Sequence, residues 1–381
     1  MRIEQKKWTE EGGWKTESSA TAGIPVHLVL IFGSVNTLKK QALFQEIQHA
    51  YPEALLFGCS TAGEICSTRV SDESLVTTAI HFEHSRLKGA RTVVKTPGDS
   101  FSAGEQLARS LQTDGLRHVF VLSDGLSVNG SDLVKGITRH LPPDVAVTGG
   151  LSADGDRFKE TFVIMGGPAA SGTIALIGFY GDRLKIGYGS LGGWDSFGPE
   201  RMITKSRGNV LFELDGKSAL ELYKKYLGEH AGGLPATGLL FPLSIRAKEG
   251  EPGLVRTILS VDEATRSMTF AGDMPEGAYA RLMKANFNRL IEGAAGAART
   301  SCRSLLTAGP ELALLISCVG RKMVLKQRIE EEVEAVRDIV GSGTVLTGFY
   351  SYGEISPFTP GAACELHNQT MTITTLSETS A

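Results

Sequence analysis

Three segments of this chain repeat one design, and no other feature restricts its possible folds as strongly. In the first, the apolar run Val26–Phe32 meets a Gly33-Ser34 turn and an amphipathic stretch from Leu38 to Ala50. A second apolar run, Ala54–Phe57, then leads into Gly58-Cys59-Ser60-Thr61-Ala62-Gly63-Glu64-Ile65. The second segment has His118–Leu122, the turn Ser123-Asp124-Gly125, a helix-like stretch Asp132–His140, and Val145–Thr148 running into Gly149-Gly150-Leu151-Ser152-Ala153-Asp154-Gly155. The third has Leu312–Ser317, the turn Cys318-Val319-Gly320-Arg321, a helix, and Val345–Thr347 ending in Gly348-Phe349-Tyr350-Ser351-Tyr352-Gly353-Glu354-Ile355. Strand, helix and strand in so short a unit imply a right-handed parallel crossover. The first and third ends also share Gly-x-x-Thr/Ser-x-Gly-Glu-Ile, a mark of internal duplication. The expected fold class is α/β, with mixed, partly parallel sheets and strand–helix–strand units repeated in two related domains.

The third helix has the clearest period: Leu325, Ile329, Val333, Val336 and Val340 recur at steps of four and three, and Gly341 is placed to end it. Leu75–Phe82 and Thr173–Phe179 read as strands, and Arg256–Val261 with Ser267–Ala271 as a hairpin across Asp262 to Thr265. Asp215–Gly228 reads as a helix capped by Asp215, and Ala278–Arg299 as a longer one. A boundary near residue 215 divides the chain into a polar N-terminal segment 1–25, an N-terminal domain 26–215 and a C-terminal domain 216–376.

At 381 residues there is room for two cores, and 41% hydrophobic with 21% charged residues is the composition of a soluble globular protein. A formal net charge of −3 gives no footprint for nucleic acid, and no apolar run reaches bilayer length. With no secretory signal, the expected location is the cytoplasm. The five cysteines form no C-x-x-C pair, so they read as free thiols in a reducing compartment.

Ligands of open α/β sheets bind beyond the carboxyl ends of strands, where glycines let backbone N–H groups approach closely. The repeated turns therefore nominate Cys59, Ser60, Thr61, Gly63 and Glu64, with Ser123, Asp124, Gly149 and Gly150, as ligand-binding residues. Cys318, Gly320, Arg321, Tyr350, Ser351, Tyr352 and Glu354 would line a counterpart cleft. Arg321 opens a helix, where the dipole disfavours a cation, which points to pairing with an anionic ligand group or with Glu354. Gly187-Tyr188-Gly189-Ser190-Leu191-Gly192 fits G-x-G-x-x-G but cannot open a helix, so it reads as a glycine-rich hairpin or loop. Without a G-x-S-x-G elbow, or a histidine near either Cys59 or Cys318, the chain is expected not to be an enzyme; a cysteine nucleophile is the alternative of another class. His49, His118 and His140 read as surface or helix-end residues, His81 and His84 as pointing apart, and His27, His230 and His367 as lacking a telling neighbour. No metal ligand is named by them.

With those turns in hand the chain resembles a FIST protein, a sensory module of N-terminal and C-terminal regions. The likeness rests on Gly58–Ile65, Ser123–Gly125, Gly149–Asp154, Gly192–Gly198, Leu214–Leu220, Phe241–Leu243, Gly272–Gly277, Ser317–Arg321 and Gly348–Ile355, in order along roughly Val26–Thr375. The resemblance implies an intracellular signal-transduction protein that binds a small molecule and acts through a partner. Stand-alone bacterial members of this size include haem-binding nitric oxide sensors that regulate a histidine kinase, which makes non-covalent b-type haem one implied cofactor. A small polar metabolite such as an amino acid is the alternative ligand. Neither nucleic acid nor membrane insertion is implied.

Overall fold

The computed structural model describes residues 1–18, 23–247, 253–305, 309–359 and 361–379, so residues 19–22 of the polar N-terminal segment lie outside it. The three repeated segments are three copies of one unit. Unit 1 comprises β1 (Leu28–Gly33), α1 (Gln41–Ala50), β2 (Leu55–Ser60), the short β3 (Glu64–Cys66) and a return strand β4 (Ser74–His81). Unit 2 comprises β5 (Arg86–Val93), α2 (Ser100–Ser110), β6 (Leu116–Ser123), α3 (Gly130–Thr138), β7 (Ala146–Leu151), β8 (Val163–Met165) and β9 (Thr173–Tyr180). Unit 3 comprises β10 (Leu184–Leu191), α4 (Phe287–Cys302), β11 (Leu312–Cys318), α5 (Val319–Leu325), α6 (Ile329–Val340), β12 (Val345–Ser351), β13 (Gly353–Pro357) and β14 (Met371–Glu378).

Each unit forms its own parallel pair: β1 with β2, β6 with β7, and β11 with β12. Such strands are covered on both faces, so β1 and β11 are predominantly apolar with every residue buried. Each return strand comes back antiparallel beside its own first strand. The short strand between them does not stay home. β3 of unit 1 pairs with β12 of unit 3, β13 of unit 3 with β7 of unit 2, and β8 of unit 2 with β2 of unit 1. The exchange closes a ring of three six-stranded sheets. At its centre, Ala62 N donates to Tyr350 O (2.8 Å), Tyr352 N to Leu151 O (3.3 Å) and Ala153 N to Ser60 O (2.9 Å).

The inner faces meet in a common core that draws Phe32, Phe57, Phe120, Leu122, Ile316 and Phe349 from all three units. Helices cover the outer faces; α3, for example, buries Leu133, Val134 and Ile137 and is capped by the Asn129 side chain, which accepts from Ser131 N and Asp132 N. The expected mixed α/β class, with partly parallel sheets and repeated strand–helix–strand units, is what the structure has. Residues 194–286 are an insertion between β10 and α4. Its described residues form a sheet around the long strand Trp194–Arg207 and a helix, Ala219–Leu227, with a core of their own.

Several expected elements differ in detail. The third helix is two, α5 and α6, because Lys326 adopts φ +50° between them. Ser218, not Asp215, caps the helix before Gly228; Asp215 sits at φ +51° in a turn and accepts from Met202 N. Ala278–Arg299 splits into a strand, Tyr279–Ala285, and α4, since pairing with Trp194–Met202 fixes the first half as extended and Asn286 caps the helix. Gly187 and Gly189 belong to a strand, β10, and let α4 lie against it: a Cβ on Gly187 would sit 1.8 Å from Ser301 O.

Gly58, Gly149 and Gly348 occupy equivalent places on β2, β7 and β12. A Cβ on each would lie 1.8 Å from the carbonyl oxygen of Ile31, Val121 or Leu315 on the parallel neighbour. Backbone cannot yield to a side chain as a rotamer can. Gly58→Ala is therefore expected to cost about 3 kcal/mol. Gly343→Ala, where nothing lies within 4 Å of the new Cβ, should stay within about 0.5 kcal/mol of the parent. Urea-unfolding midpoints read both, and equal midpoints would contradict the packing described.

Candidate functional site

The turn after β2 places Thr61, Ala62, Gly63 and Glu64 on the wall of a cavity of about 380 Å³. Ser34, after β1, and Asp72 and Glu73, before β4, complete the unit 1 wall. Unit 2 supplies Asp154, Gly155, Asp156 and Arg157; unit 3 supplies Val319, Lys322 and Met323 from α5. The strand exchange is what brings these three chain regions together.

Lys322 Nζ donates to Ala62 O at 2.8 Å, pairs with Asp72, and lies 5.7 Å from the centre of the Tyr350 ring. Gly63 is at φ +137°, and a Cβ there would meet Lys322 Nζ at 2.6 Å, so the lysine crosses the turn only because the residue is glycine. Arg157 Nε donates to Asp154 O at 2.7 Å, and its Nη1 is 3.8 Å from Glu73. Asp154 is buried and saturated, accepting from the Phe158, Lys159 and Glu160 amides and from the Tyr352 hydroxyl.

Glu64 is 1% exposed at the cavity floor. Thr61 Oγ1 donates to one carboxylate oxygen; Ser74 donates to the other through N (3.1 Å) and Oγ (2.6 Å). Loss of solvent outweighs these donors and lifts its pKa from 4.5 to about 7. Glu354 repeats the arrangement in unit 3. It accepts from Ser351 Oγ (2.6 Å) and from Thr370 N (3.2 Å) and Oγ1 (2.9 Å), and burial raises its pKa to about 8. Glu73 and Gln369, which precede Ser74 and Thr370, are at φ +52° and +63°.

Of the nominated residues, then, Thr61, Gly63 and Glu64 line the cavity. Cys59 and Ser60 are wholly buried on β2, with Ser60 Oγ accepting from Phe162 N. Ser123 and Asp124 are buried in unit 2, where Asp124 accepts from the Leu126, Ser127 and Gly172 amides. Gly149 and Gly150 are buried in the β7 ladder, packed against Val121 and Ile316. In the counterpart cleft, Cys318, Tyr350, Ser351, Tyr352 and Glu354 are at most 2% exposed. Gly320 lies under the Gln369 side chain, which donates to Leu239 O of the insertion. Arg321 corrects the expectation placed on it. It pairs with Glu332 (2.7 Å), not Glu354, and donates to the Gly192 and Leu290 carbonyls. Sequence reading passed over Ser34, Asp72, Glu73, Arg157 and Lys322; the positive signal for the last was its place beside Arg321 in the same strand-end turn.

Cys59 and Cys318 are buried, and burial raises both thiols well above their ordinary pKa, so neither is a ready nucleophile. The residues do not fit haem held by an axial histidine. The cavity is walled by carboxylates and cations and holds no histidine. An apolar cavity of about 420 Å³, beside Leu254, Pro275 and Phe358, holds none either. His118, expected at the surface, is buried and bonded to Thr148 Oγ1 (2.8 Å), because it faces inward from β6; His367 is buried on Ser356 O (2.8 Å). Among the described residues, no three His, Cys, Asp or Glu side chains form a metal cluster. No helix among them is long and apolar enough to cross a membrane.

Residues 27–217 match the FIST N domain and residues 219–357 match the FIST C domain. The chain belongs to the FIST family. The FIST pair supports a sensory role in signal transduction. An uncharacterized protein of Methanocaldococcus jannaschii, MJ1623, is 24% identical to this FIST chain over 293 residues, covering 70% of it and 55% of the relative. The chain thus spans about half the length of that relative. Two solved cyanuric acid hydrolases are similar along their whole length. One, from A. caulinodans, has a TM-score of 0.35 and 8% identity, covering 100% of this chain and 99% of the other; the second has 0.30 and 11%, covering 99% of each. The expectation that the chain is not an enzyme is withdrawn on this finding, since both are enzymes. So distant a likeness transfers neither a substrate nor a catalytic residue.

Two outcomes follow from the site. A carboxyl whose pKa is raised on folding binds more protons folded than unfolded. Its contribution is full below pH 4.5 and is lost as pH rises through about 7 for Glu64 and about 8 for Glu354. Glu64→Gln should therefore flatten the fall in stability between about pH 5 and 8 by about 3 kcal/mol. Urea midpoints across that range test this, and an unchanged pH slope would count against it. Arg321→Met should destabilise by about 3–5 kcal/mol by stranding Glu332, and the double change with Glu332→Leu should recover much of the loss. A double variant no more stable than the single would contradict a pairwise origin.

Proposed function

We propose that this FIST protein senses a small, amine-bearing polar metabolite, with basic amino acids the favoured class, and passes its occupancy to a signalling partner such as a histidine kinase. The observation that carries the reading is the charge pattern of the cavity. Lys322 and Arg157 offer donors for a carboxylate, while Glu64, Asp72, Glu73 and Asp156 offer acceptors for one or more ammonium groups. The excess of carboxylates over cations favours a ligand of net positive charge. Val319, Met323 and Ala62 supply an apolar stretch of wall for an aliphatic chain. All five cysteines are free, which fits a reducing compartment, the cytoplasm.

A thermal-shift screen of the amino acids tests this. A ligand at a hundred times its Kd adds about 2.7 kcal/mol of stability, so arginine, lysine or ornithine should raise Tm by several degrees. Lys322→Met and Glu64→Gln should each abolish the shift. Flat curves across the panel would sink the reading, and so would a Soret band formed at stoichiometric haem.

A further inference from the structure

α5 has two working sides. Val319, Lys322 and Met323 line the cavity, with Lys322 reaching across it to Ala62 O and Asp72. Arg321, the residue between, is fully buried on the opposite side. Its Nη1 donates to Gly192 O (3.2 Å) and its Nη2 to Leu290 O (2.7 Å). Gly192 is where the chain leaves β10 for the inserted segment, and Leu290 is where it has returned from it into α4. One guanidinium therefore holds both roots of the insertion. The same side of α5 adds Val324 and Leu325, which form a separate apolar cluster with Trp194 and Met283, from two paired strands of the inserted sheet, and with Leu290.

The insertion is otherwise built as its own body. Its core residues, among them Ile203, Leu211, Leu220, Met268 and Phe270, pack with one another. Glu332 anchors Arg321 from α6 and also accepts from Ser317 Oγ (3.1 Å) and Tyr350 Oη (2.7 Å). Tyr350 carries Lys322 over its ring. The pocket lysine and the root-holding arginine thus share a helix, an anchor and a neighbouring ring.

We propose that α5 is the lever by which occupation of the cavity is transmitted to the inserted segment 194–286, whose position is the output of the sensor. The proposal rests on the ligand reading of the cavity. A ligand carboxylate that takes Lys322 from Ala62 and Asp72 shifts α5 along the cavity wall, and Arg321 carries the shift to Gly192 and Leu290. Helices packed this way move as units, because a close-packed interface slides between discrete arrangements and does not deform smoothly.

Hydrogen exchange on the full chain tests the lever with and without a ligand. In the ligand-free protein, Lys322→Met keeps the apolar stem and removes the tether to Ala62 and Asp72. Amides of residues 190–197 and 283–291 should then exchange roughly tenfold faster, while those of β6 and α3 keep their rates. Faster exchange confined to residues 61–73, or a uniform rise that includes β6 and α3, would overturn the lever. In the parent protein, the amino acid that raises Tm should change the exchange rates of the same two segments. A ligand that raises Tm and leaves them unchanged would also overturn the lever while leaving the cavity reading in place. If no amino acid raises Tm but Lys322→Met still loosens both roots, the amino-acid reading of the cavity fails and with it transmission of occupancy, while the mechanical link from Lys322 to the roots stands.

Discussion

Each of the three six-stranded sheets has an edge completed by a strand from another unit. β3, β8 and β13 are only three to five residues long, and none would hold a place alone. Each pairs with a strand of the neighbouring unit, and those bonds pin the three units into a closed ring. An unpaired strand edge exposes donors and acceptors that invite misassembly. Cyclic exchange covers one edge of each parallel pair within one chain, and it draws the carboxyl ends of the parallel strands to a shared centre. The cavity, the buried glutamates and α5 all follow from this closure.

Placement at the centre also explains the titration pattern. Glu64 and Glu354 occupy equivalent positions, each fed by a hydroxyl three residues earlier and by the amide and hydroxyl that open the return strand. The donors satisfy the oxygens, yet burial dominates and holds both carboxyls near neutral pH. Glu64 lines the cavity of about 380 Å³. In unit 3 the corresponding space is taken by Gln369, held by the insertion through Leu239 O, while its own carbonyl accepts from Trp194 Nε1 at 3.0 Å. One copy of the arrangement thus lines a cavity and another is a joint, because residues 194–286 interrupt only the third unit.

Much of the fold was legible because its cause is local. Val26–Phe32, Leu312–Ser317 and their partners are apolar runs of strand length, and Gly341 ends α6 as its position foretold. Where the expectation failed, a distant partner overruled a local pattern. Tyr279–Ala285 has helix-compatible residues but is held extended by Trp194–Met202. His118 looked like a surface residue until β6 turned it into the core. Of the residues nominated for binding, most are buried framework, since the glycine turns that mark a strand end in sequence do not say which neighbour closes over it.

The sequence by itself determined that three strand–helix–strand units exist, that their glycines stand at strand ends, and that the chain reads as a FIST protein. These depend on periodicity and on residue types that act within a few positions. Tertiary structure alone decided that each unit lends a strand to the next, that Thr61, Gly63 and Glu64 share a cavity with Arg157 and Lys322, and that Arg321 faces Glu332. Those pairings join residues up to hundreds of positions apart through backbone bonds and burial, and no local pattern encodes which edge will meet which.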